Sequence, residues 1–224
     1  MLYLVPTPIG NKGDMTPRAI QTLQEVDLIL VEDTRVSGPY LRSLEINTSF
    51  QSYHSQNEHQ QTNTIVEKLK SGKKIALVSD AGSPGISDPG FLLVRACREN
   101  NIAVIALPGA TAFVPAITAS GFSCEKFFYQ GFLPLKKGRK TQIEWLSKLP
   151  CTVVLYESPH RLIKCMEELS VSFGPDRMCF LAKEISKLYE QHFYGSIESV
   201  TQQLKALTKI QGEWVIVIQL KSED

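Results

Sequence analysis

The residues best equipped for chemistry stand where apolar runs end. The segment Val78-Ser79-Asp80-Ala81-Gly82-Ser83-Pro84-Gly85-Ile86-Ser87-Asp88-Pro89-Gly90 closes the stretch Ile75-Ala76-Leu77-Val78, which reads as a buried strand. Such a loop at a strand's carboxyl end is typical of ligand sites. Gly lets main chain approach a bound molecule, and Pro stiffens the path. The competing reading is an ordinary strand-to-helix connection, but those run to only about 4 to 6 residues. Two loops share this chemistry, Leu4-Val5-Pro6-Thr7-Pro8-Ile9-Gly10-Asn11 and Leu107-Pro108-Gly109-Ala110-Thr111. The first two carry neither dinucleotide-binding nor P-loop spacing, so phosphate cradling is weakly supported.

Within these loops, Asp80 is the carboxylate suited to accept hydrogen bonds from a ribose or an ammonium, although Asp also caps turns. Glu32-Asp33-Thr34-Arg35 brings two acids and a guanidinium to the same expected edge, as a functional cluster or as a local ion-pair cap. Tyr156-Glu157-Ser158-Pro159-His160-Arg161 also ends a strand and starts a helix, with Pro159 in the first turn. His160 there is a general base or a solvated helix-start histidine. No two of the four histidines have H-x-x-x-H spacing, so no metal site is expected. The densest basic run, Lys136-Lys137-Gly138-Arg139-Lys140, follows Gly131-Phe132-Leu133-Pro134. Basic side chains bind phosphates and an aromatic ring stacks on a base, while a solvated charged face is the plainer reading.

These residues need a frame to hold them. Residues 2 to 6, 27 to 31, 74 to 78 and 102 to 106 read as strands, with helices near 16 to 25, 57 to 70, 89 to 99 and 110 to 120. That alternation predicts an α/β fold with a mainly parallel N-terminal sheet covered by helices, whose loops converge on one edge. Thr16-Pro17 marks a helix start, and Gly72 lies just past a helix end. The second half is richer in strands, at 127 to 129, 152 to 156, 178 to 182, 192 to 194 and 214 to 220, separated by helices at 137 to 148, 159 to 171 and 197 to 206. A mixed C-terminal sheet is expected, hence two α/β domains over residues 1–112 and 113–224 with no flexible linker. Their junction is a natural ligand cleft.

Composition sets outer bounds. The 224 residues, 43% of them hydrophobic, are enough for one large or two small cores, and the net charge of +1 excludes a globally basic nucleic-acid binder while leaving room for a local patch. Five widely spaced cysteines without a C-x-x-C pair suggest neither a disulfide framework nor a zinc site, and fit a reducing cytoplasm. The chain enters the strand-like Leu2-Tyr3-Leu4-Val5 directly, and no apolar run reaches the ~18 residues of a membrane span, so a soluble intracellular protein is expected.

The ordered set Thr7-Pro8-Ile9-Gly10-Asn11, Glu32-Asp33-Thr34-Arg35, Ser79-Asp80-Ala81-Gly82-Ser83-Pro84, Leu107-Pro108-Gly109-Ala110, Gly131-Phe132-Leu133-Pro134 and Tyr156 to Arg161 closely resembles the ribosomal RNA small-subunit methyltransferase I family. That family methylates the ribose 2′-oxygen of a cytidine in 16S rRNA and belongs to the tetrapyrrole methylase superfamily. The resemblance runs from about residue 2 to residue 219. It implies the two-domain tetrapyrrole methylase (class III methyltransferase) fold, S-adenosyl-L-methionine (SAM) in the cleft between domains, a homodimer, no metal and no membrane. SAM-facing positions carried over by motif are Pro8, Ile9, Asp80, Ala81, Gly82, Ser83, Gly109, Ala110, Thr111, Ala112, Tyr156, Gly212, Glu213 and Trp214.

Corrin-ring methylases of the superfamily carry a G-x-G-x-G-D-like opening loop and G-D-P in the long loop. T-P-I-G-N and S-D-A-G-S-P here favour RNA over tetrapyrrole. The family's usual Arg-Glu pair stands as Lys183-Glu184, which keeps the charge and loses bidentate geometry. Many members continue into a small helical extension, whereas this sequence ends at Asp224, so RNA contacts made by such an extension are expected to come from elsewhere. The expected reaction is an in-line methyl transfer that needs alignment, water exclusion and a proton acceptor. Candidate catalytic residues are Glu32, Asp33 and Arg35 at the target nucleotide, then Lys183 and Glu184. Candidate RNA contacts are Lys136, Lys137, Arg139, Lys140 and Arg161. The rival functions are a corrin-precursor C-methyltransferase and a non-enzymatic SAM- or ribosome-binding module.

Overall fold

A computed structural model describes residues 1–220. The chain divides into two compact units that meet in sequence at Thr111 and Ala112. In the first, the elements run β1 (Leu2–Leu4), α1 (Pro17–Glu25), β2 (Leu28–Val31), α2 (Thr34–Ser43), β3 (Phe50–Ser52), α3 (Glu58–Lys70), β4 (Ile75–Leu77), α4 (Phe91–Glu99) and β5 (Val104–Ala106). The strands form one sheet in the order β3-β2-β4-β1-β5, with every pairing parallel. A parallel sheet has both faces covered, which explains the near-continuous apolar runs. Ile29 and Val31 of β2 join the core under α1 and α2, with Leu23 and Leu41. Leu30 turns to the opposite core with Ile65, Leu69 and Leu93 of α3 and α4.

The start of α1 shows how local sequence sets these elements. Thr16 accepts a hydrogen bond from the Ala19 amide at 3.1 Å, and Pro17 occupies the first turn, where its missing N–H costs nothing. By contrast, the sequence pattern does not mark α2 or β3. Gly38 and Pro39 lie inside α2, and Pro39 breaks the helical pattern by which such a segment is read. β3 is a three-residue edge strand with two polar residues.

The second unit runs α5 (Phe113–Ala119), β6 (Phe127–Phe132), α6 (Arg139–Leu146), β7 (Thr152–Glu157), a 3-10 turn (Pro159–Arg161), α7 (Leu162–Phe173), β8 (Met178–Lys183), β9 (Gln191–Ser196), α8 (Ile197–Lys205) and β10 (Trp214–Ile218). α5 begins later than the expected residue 110, so the loop after β5 is longer. The sheet order is β6-β7-β10-β8-β9, with β6 and β7 parallel and the other pairings antiparallel. Every residue of the central strand β10 is buried. Trp214, Ile216 and Ile218 face the core of α6, α7 and α8, while Val215 and Val217 face Ala116 and Ile117 of α5. Among the described residues no helix is long and apolar enough to cross a membrane.

Candidate functional site

In a parallel sheet every strand's carboxyl end lies at one edge, so the loops after β1, β2, β4 and β5 emerge together. Hydrogen bonds stitch them to each other. Thr7 and Gly82 exchange backbone bonds of 2.9 and 3.0 Å, and the buried Thr7 hydroxyl donates to the Ser79 carbonyl at 2.9 Å. Ser83 Oγ donates to the Ala110 carbonyl at 3.1 Å. The loop after β5 lies so close to the loop after β1 that a Cβ on Gly109 would sit 2.5 Å from the Pro6 side chain. Only glycine fits there. Ala81 and Gly109 are exposed, Pro8, Asp80, Ser83, Ala110, Thr111 and Ala112 are half-buried, and Ile9 is buried with a methyl group against Gly82.

Asp80 ties the β4 loop to α2. Its Oδ1 accepts from the Ser37 hydroxyl at 2.9 Å and from the Asp33 amide at 3.4 Å. Glu32 stands beside it, and its pKa is raised above the ordinary carboxylate value, first by burial and then by the negative charge of Asp80. Asp33 does something different. It caps α2 by accepting from the Arg35 amide at 2.8 Å, and it pairs with the Arg35 guanidinium, whose Nη2 lies 2.6 Å from Oδ2. That hydrogen bonding holds the Asp33 carboxyl down at about 2. Of the expected acidic cluster, Asp33 and Arg35 thus form the local cap, and Glu32 is the carboxylate set against another.

A cavity of about 130 Å³ opens on the same unit, lined by Thr7, Pro8, Gly10, Lys12, Val36, Ser37, Tyr40, Leu41 and Asp80. Ser37 and Tyr40 escaped the sequence reading because they lie on α2, whose helical pattern Pro39 obscures, and Lys12 because it lies in a short 3-10 turn after β1. The one available signal was the polar, Gly-containing stretch after Pro8.

In the second unit, Glu157 is fully buried at the end of β7. Its Oε2 lies 3.1 Å from Arg139 Nη2, its Oε1 lies 2.6 Å from Arg161 Nη2, and the Ser158 amide donates to Oε1 at 2.7 Å. Arg139 also pairs with Glu168 at 2.6 Å and donates to the Pro134 carbonyl. This corrects the assignment of Arg139 to RNA. Its guanidinium is buried and spent within the fold, while its neighbours Lys136, Lys137 and Lys140 are exposed. Arg161 is half-buried on the same carboxylate. Tyr156 uses its hydroxyl to accept from the Phe113 amide at 3.1 Å, and its ring meets Tyr129 and Phe132 edge-on.

Lys183 donates to Gln191 Oε1 at 3.2 Å. Glu184 adopts a left-handed backbone with φ +55°, which is uncommon for a non-glycine residue. Its Oε1 accepts from the Glu213 amide and from Lys187 Nζ, each at 2.9 Å. Burial alone would raise its pKa, but Lys187 and the Glu213 amide outweigh burial and lower it. Gly212 suits its place beneath this side chain, since its φ is +82° and a Cβ there would lie 2.7 Å from the Glu184 side chain. Trp214, expected to face the cofactor, has its ring buried in the core, tilted against Phe193 and donating to the Gln211 carbonyl at 3.1 Å, which leaves its main chain for such a contact. Burial pushes the Cys165 and Cys179 thiols up to about 12, so neither serves as a nucleophile.

A parallel sheet with ligand-type loops at one edge, followed by a mixed five-stranded sheet, is the architecture of a class of methylases. The family model for Tetrapyrrole (Corrin/Porphyrin) Methylases matches residues 1–201. Among solved structures, a cobalt precorrin-4 methyltransferase superposes with a TM-score of 0.70 at 16% identity, over 97% of this chain and 94% of that one. A uroporphyrin-III C-methyltransferase from Thermus thermophilus, complexed with S-adenosyl homocysteine, gives 0.66 at 17% identity over 96% of each chain. Those likenesses establish the fold.

Sequence relatives narrow the class. The ribosomal RNA small subunit methyltransferase I of Synechocystis sp. is 46% identical over 219 residues, 97% of this chain and 78% of that protein. Proteins of the same name from Haemophilus influenzae and Escherichia coli O157:H7 are 43% and 42% identical, over 99% and 97% of this chain and 79% and 77% of theirs. The chain belongs to the ribosomal RNA small subunit methyltransferase I family.

Proposed function

We propose that this chain transfers the methyl group of SAM to the ribose 2′-oxygen of a cytidine in 16S rRNA, acting on the small ribosomal subunit in the cytoplasm as a homodimer. The observation that carries the reading is the near-full-length identity of 42% or more to proteins named for small-subunit rRNA methylation. The loop edge of the first unit suits a nucleoside-type cofactor. Its glycines bring main chain to the surface, and Asp80 offers a carboxylate to a ribose or an ammonium. On the first unit, cofactor contacts are assigned to Pro8, Ile9, Asp80 to Ser83 and Gly109 to Thr111.

SAM supplies an electrophilic methyl group on a sulfonium. The 2′-oxygen forms the new C–O bond, the S–C bond breaks with its electron pair going to sulfur, and the hydroxyl proton leaves to a base. Glu32 is the base that the geometry favours. It lies at the sheet edge with the cofactor loops, and its raised pKa makes it a better proton acceptor than Asp33, which Arg35 holds at about 2. Lys136, Lys137 and Lys140 are assigned to phosphates, and the exposed ring of Phe132 suits stacking on a base.

The test is transfer of labelled methyl from SAM to immature small subunits, with nuclease digestion and mass identification of the product. 2′-O-methylcytidine is expected. Label on a tetrapyrrole and none on RNA would move the chain to corrin chemistry, and SAM binding without transfer to either would leave a binding module.

A further inference from the structure

The two sheets have four edges, at β3, β5, β6 and β9. The unpaired N–H and C=O groups of an edge strand invite further pairing, and folded proteins blunt them with short strands, bulges, lysines or prolines. Three of the edges here are blunted. β3 and β5 are three residues each, and β6 carries a register shift between Tyr129 and Gly131. β9 has none of these devices. It spans six residues in unbroken register with β8, and its sequence Gln-His-Phe-Tyr-Gly-Ser holds neither lysine nor proline. The Ile197 amide donates to the Arg177 carbonyl at 2.9 Å, and the Gln219 amide donates to the Met178 carbonyl at 3.0 Å. Odd-numbered residues of β8 and β9 therefore bond each other, and the main-chain groups of His192 and Tyr194 point away from the sheet. Both residues are exposed. The loop that leads into β9 adds apolar surface, with Leu188 88% and Tyr189 73% exposed, and Tyr194 on the strand is 59% exposed. That loop is braced. Glu190 accepts from the Ser186 amide at 2.7 Å and meets His192 Nε2 at 2.7 Å, while Lys187 bridges Glu184 and Glu213. Apolar side chains held in place and turned to water mark a contact surface.

We propose that β9 pairs antiparallel with β9 of a second copy of this chain across a two-fold axis, joining two five-stranded sheets into one. The inference rests on the homodimer of the proposed function and names the surface that forms it. An antiparallel strand is its own complement, because a half-turn brings the outward groups of one copy onto those of the other. With the axis at Phe193, His192 lies opposite the partner's Tyr194, and the two symmetric pairs exchange about four main-chain hydrogen bonds. Glu190 lies opposite the partner's Ser196. No like charges meet in that register, since residues 188 to 196 hold one carboxylate and neither lysine nor arginine. The lack of those cations also sets this surface apart from an RNA contact, which needs them for phosphates.

The experiment is sedimentation velocity on the whole chain at micromolar concentration, for wild type, Tyr194→Lys and Tyr194→Glu. Wild type should be a dimer. Each variant alone sets like charges diagonally across the axis, about 7–8 Å apart, and should weaken dimerisation by about ten-fold or more. An equimolar mixture of the two variants sets opposite charges there and should restore the dimer. Restoration separates pairing from damage, because a fold harmed at Tyr194 would not recover on mixing. Dimers as tight as wild type in both single variants would put the joint on another face and overturn the β9 pairing while leaving the homodimer. Variants that stay monomeric when mixed would overturn the pairing as well. A monomeric wild type removes the pairing and the homodimer together. Methyl transfer to RNA is measured separately, so a chain that dimerises through β9 and transfers no methyl keeps the pairing and loses the proposed reaction.

Discussion

Glu32 and Glu184 each follow a β-strand directly, β2 ending at Val31 and β8 at Lys183, yet their surroundings drive them in opposite directions. Glu32 lies beside Asp80, and burial together with that like charge raises its pKa. Glu184 is met by Lys187 and the Glu213 amide and is lowered. Glu157, at the end of β7, is fully enclosed by two arginines and a backbone amide. The first unit holds a carboxylate whose hydrogen bond from the Asp80 backbone is outweighed by burial and the Asp80 charge, where ligand-type loops gather, whereas the second surrounds its strand-end carboxylates with cations and amides. An acid whose charged form is disfavoured by its surroundings can take a proton from a substrate. A saturated one holds loops in place.

The largest effect expected from this contrast is structural and lies in the second unit. Arg139→Met leaves Glu157 buried with only part of its compensation and Glu168 without its 2.6 Å partner. Breaking a buried pair from one side costs about 3–5 kcal/mol. Urea unfolding should show that loss, with SAM affinity unchanged in whatever remains folded. Wild-type stability combined with weakened RNA binding would return Arg139 to the RNA surface and undo the contrast.

Next comes Glu32→Gln. If Glu32 accepts the 2′-hydroxyl proton, single-turnover methyl transfer in saturating RNA should fall by about 100-fold or more, with RNA and SAM binding close to wild type. The wild-type rate should rise with pH through a midpoint above the ordinary 4.5 of a glutamate, and that limb should vanish in the variant. Asp80, Asp33 and His54 all act on this carboxyl, so Asp80→Asn should move the midpoint down. A wild-type rate in Glu32→Gln would transfer the proton-acceptor role to another group.

The sheets were legible because burial on two faces forces apolar runs, as in Ile75–Leu77 and Trp214–Ile218. The segment between β2 and α3 was not, because Gly38 and Pro39 hide α2 and β3 is short and half polar. Site loops were visible from Gly, Pro and Asp after apolar runs. What a charge does there was not visible, since it depends on partners far along the chain. Asp33 finds its arginine two residues on, while Arg139 reaches Glu157 and Glu168, 18 and 29 residues away. A basic run cannot show which of its members turns inward. Trp214 likewise lies in a segment read for the cofactor, and only its place on the central strand shows that its ring belongs to the core.

The run that contains Arg139 allows a sharper, smaller test. Replacing Lys136, Lys137 and Lys140 by Met should reduce the salt slope of RNA binding by about 1 for each lysine that meets a phosphate, with stability within about 0.5 kcal/mol of wild type. One sequence run would then divide into three residues that act on a ligand and one that acts on the fold. An unaltered slope would make the lysines a solvated face.

The smallest expected effect is the most direct reading of the two strand-end glutamates, because it needs no substrate. A raised carboxyl contributes stability that is complete below its unfolded pKa and is lost as pH rises through its folded value. Glu32→Gln should therefore stabilise the protein at neutral pH, with the gain disappearing in acid. A lowered carboxyl contributes stability above its unfolded pKa and loses it as pH falls through its folded value, so Glu184→Gln should destabilise at neutral pH and approach wild type in acid. Each difference should be about 0.2–1 kcal/mol, the usual range for incompletely buried charges. Denaturation curves from neutral pH to well below 4 should thus show two glutamine substitutions with opposite signs that converge in acid, Glu184→Gln at lower pH than Glu32→Gln. If both destabilise at neutral pH, the Asp80 backbone hydrogen bond to Glu32 outweighs burial and like charge, and the proton acceptor for the reaction is another group.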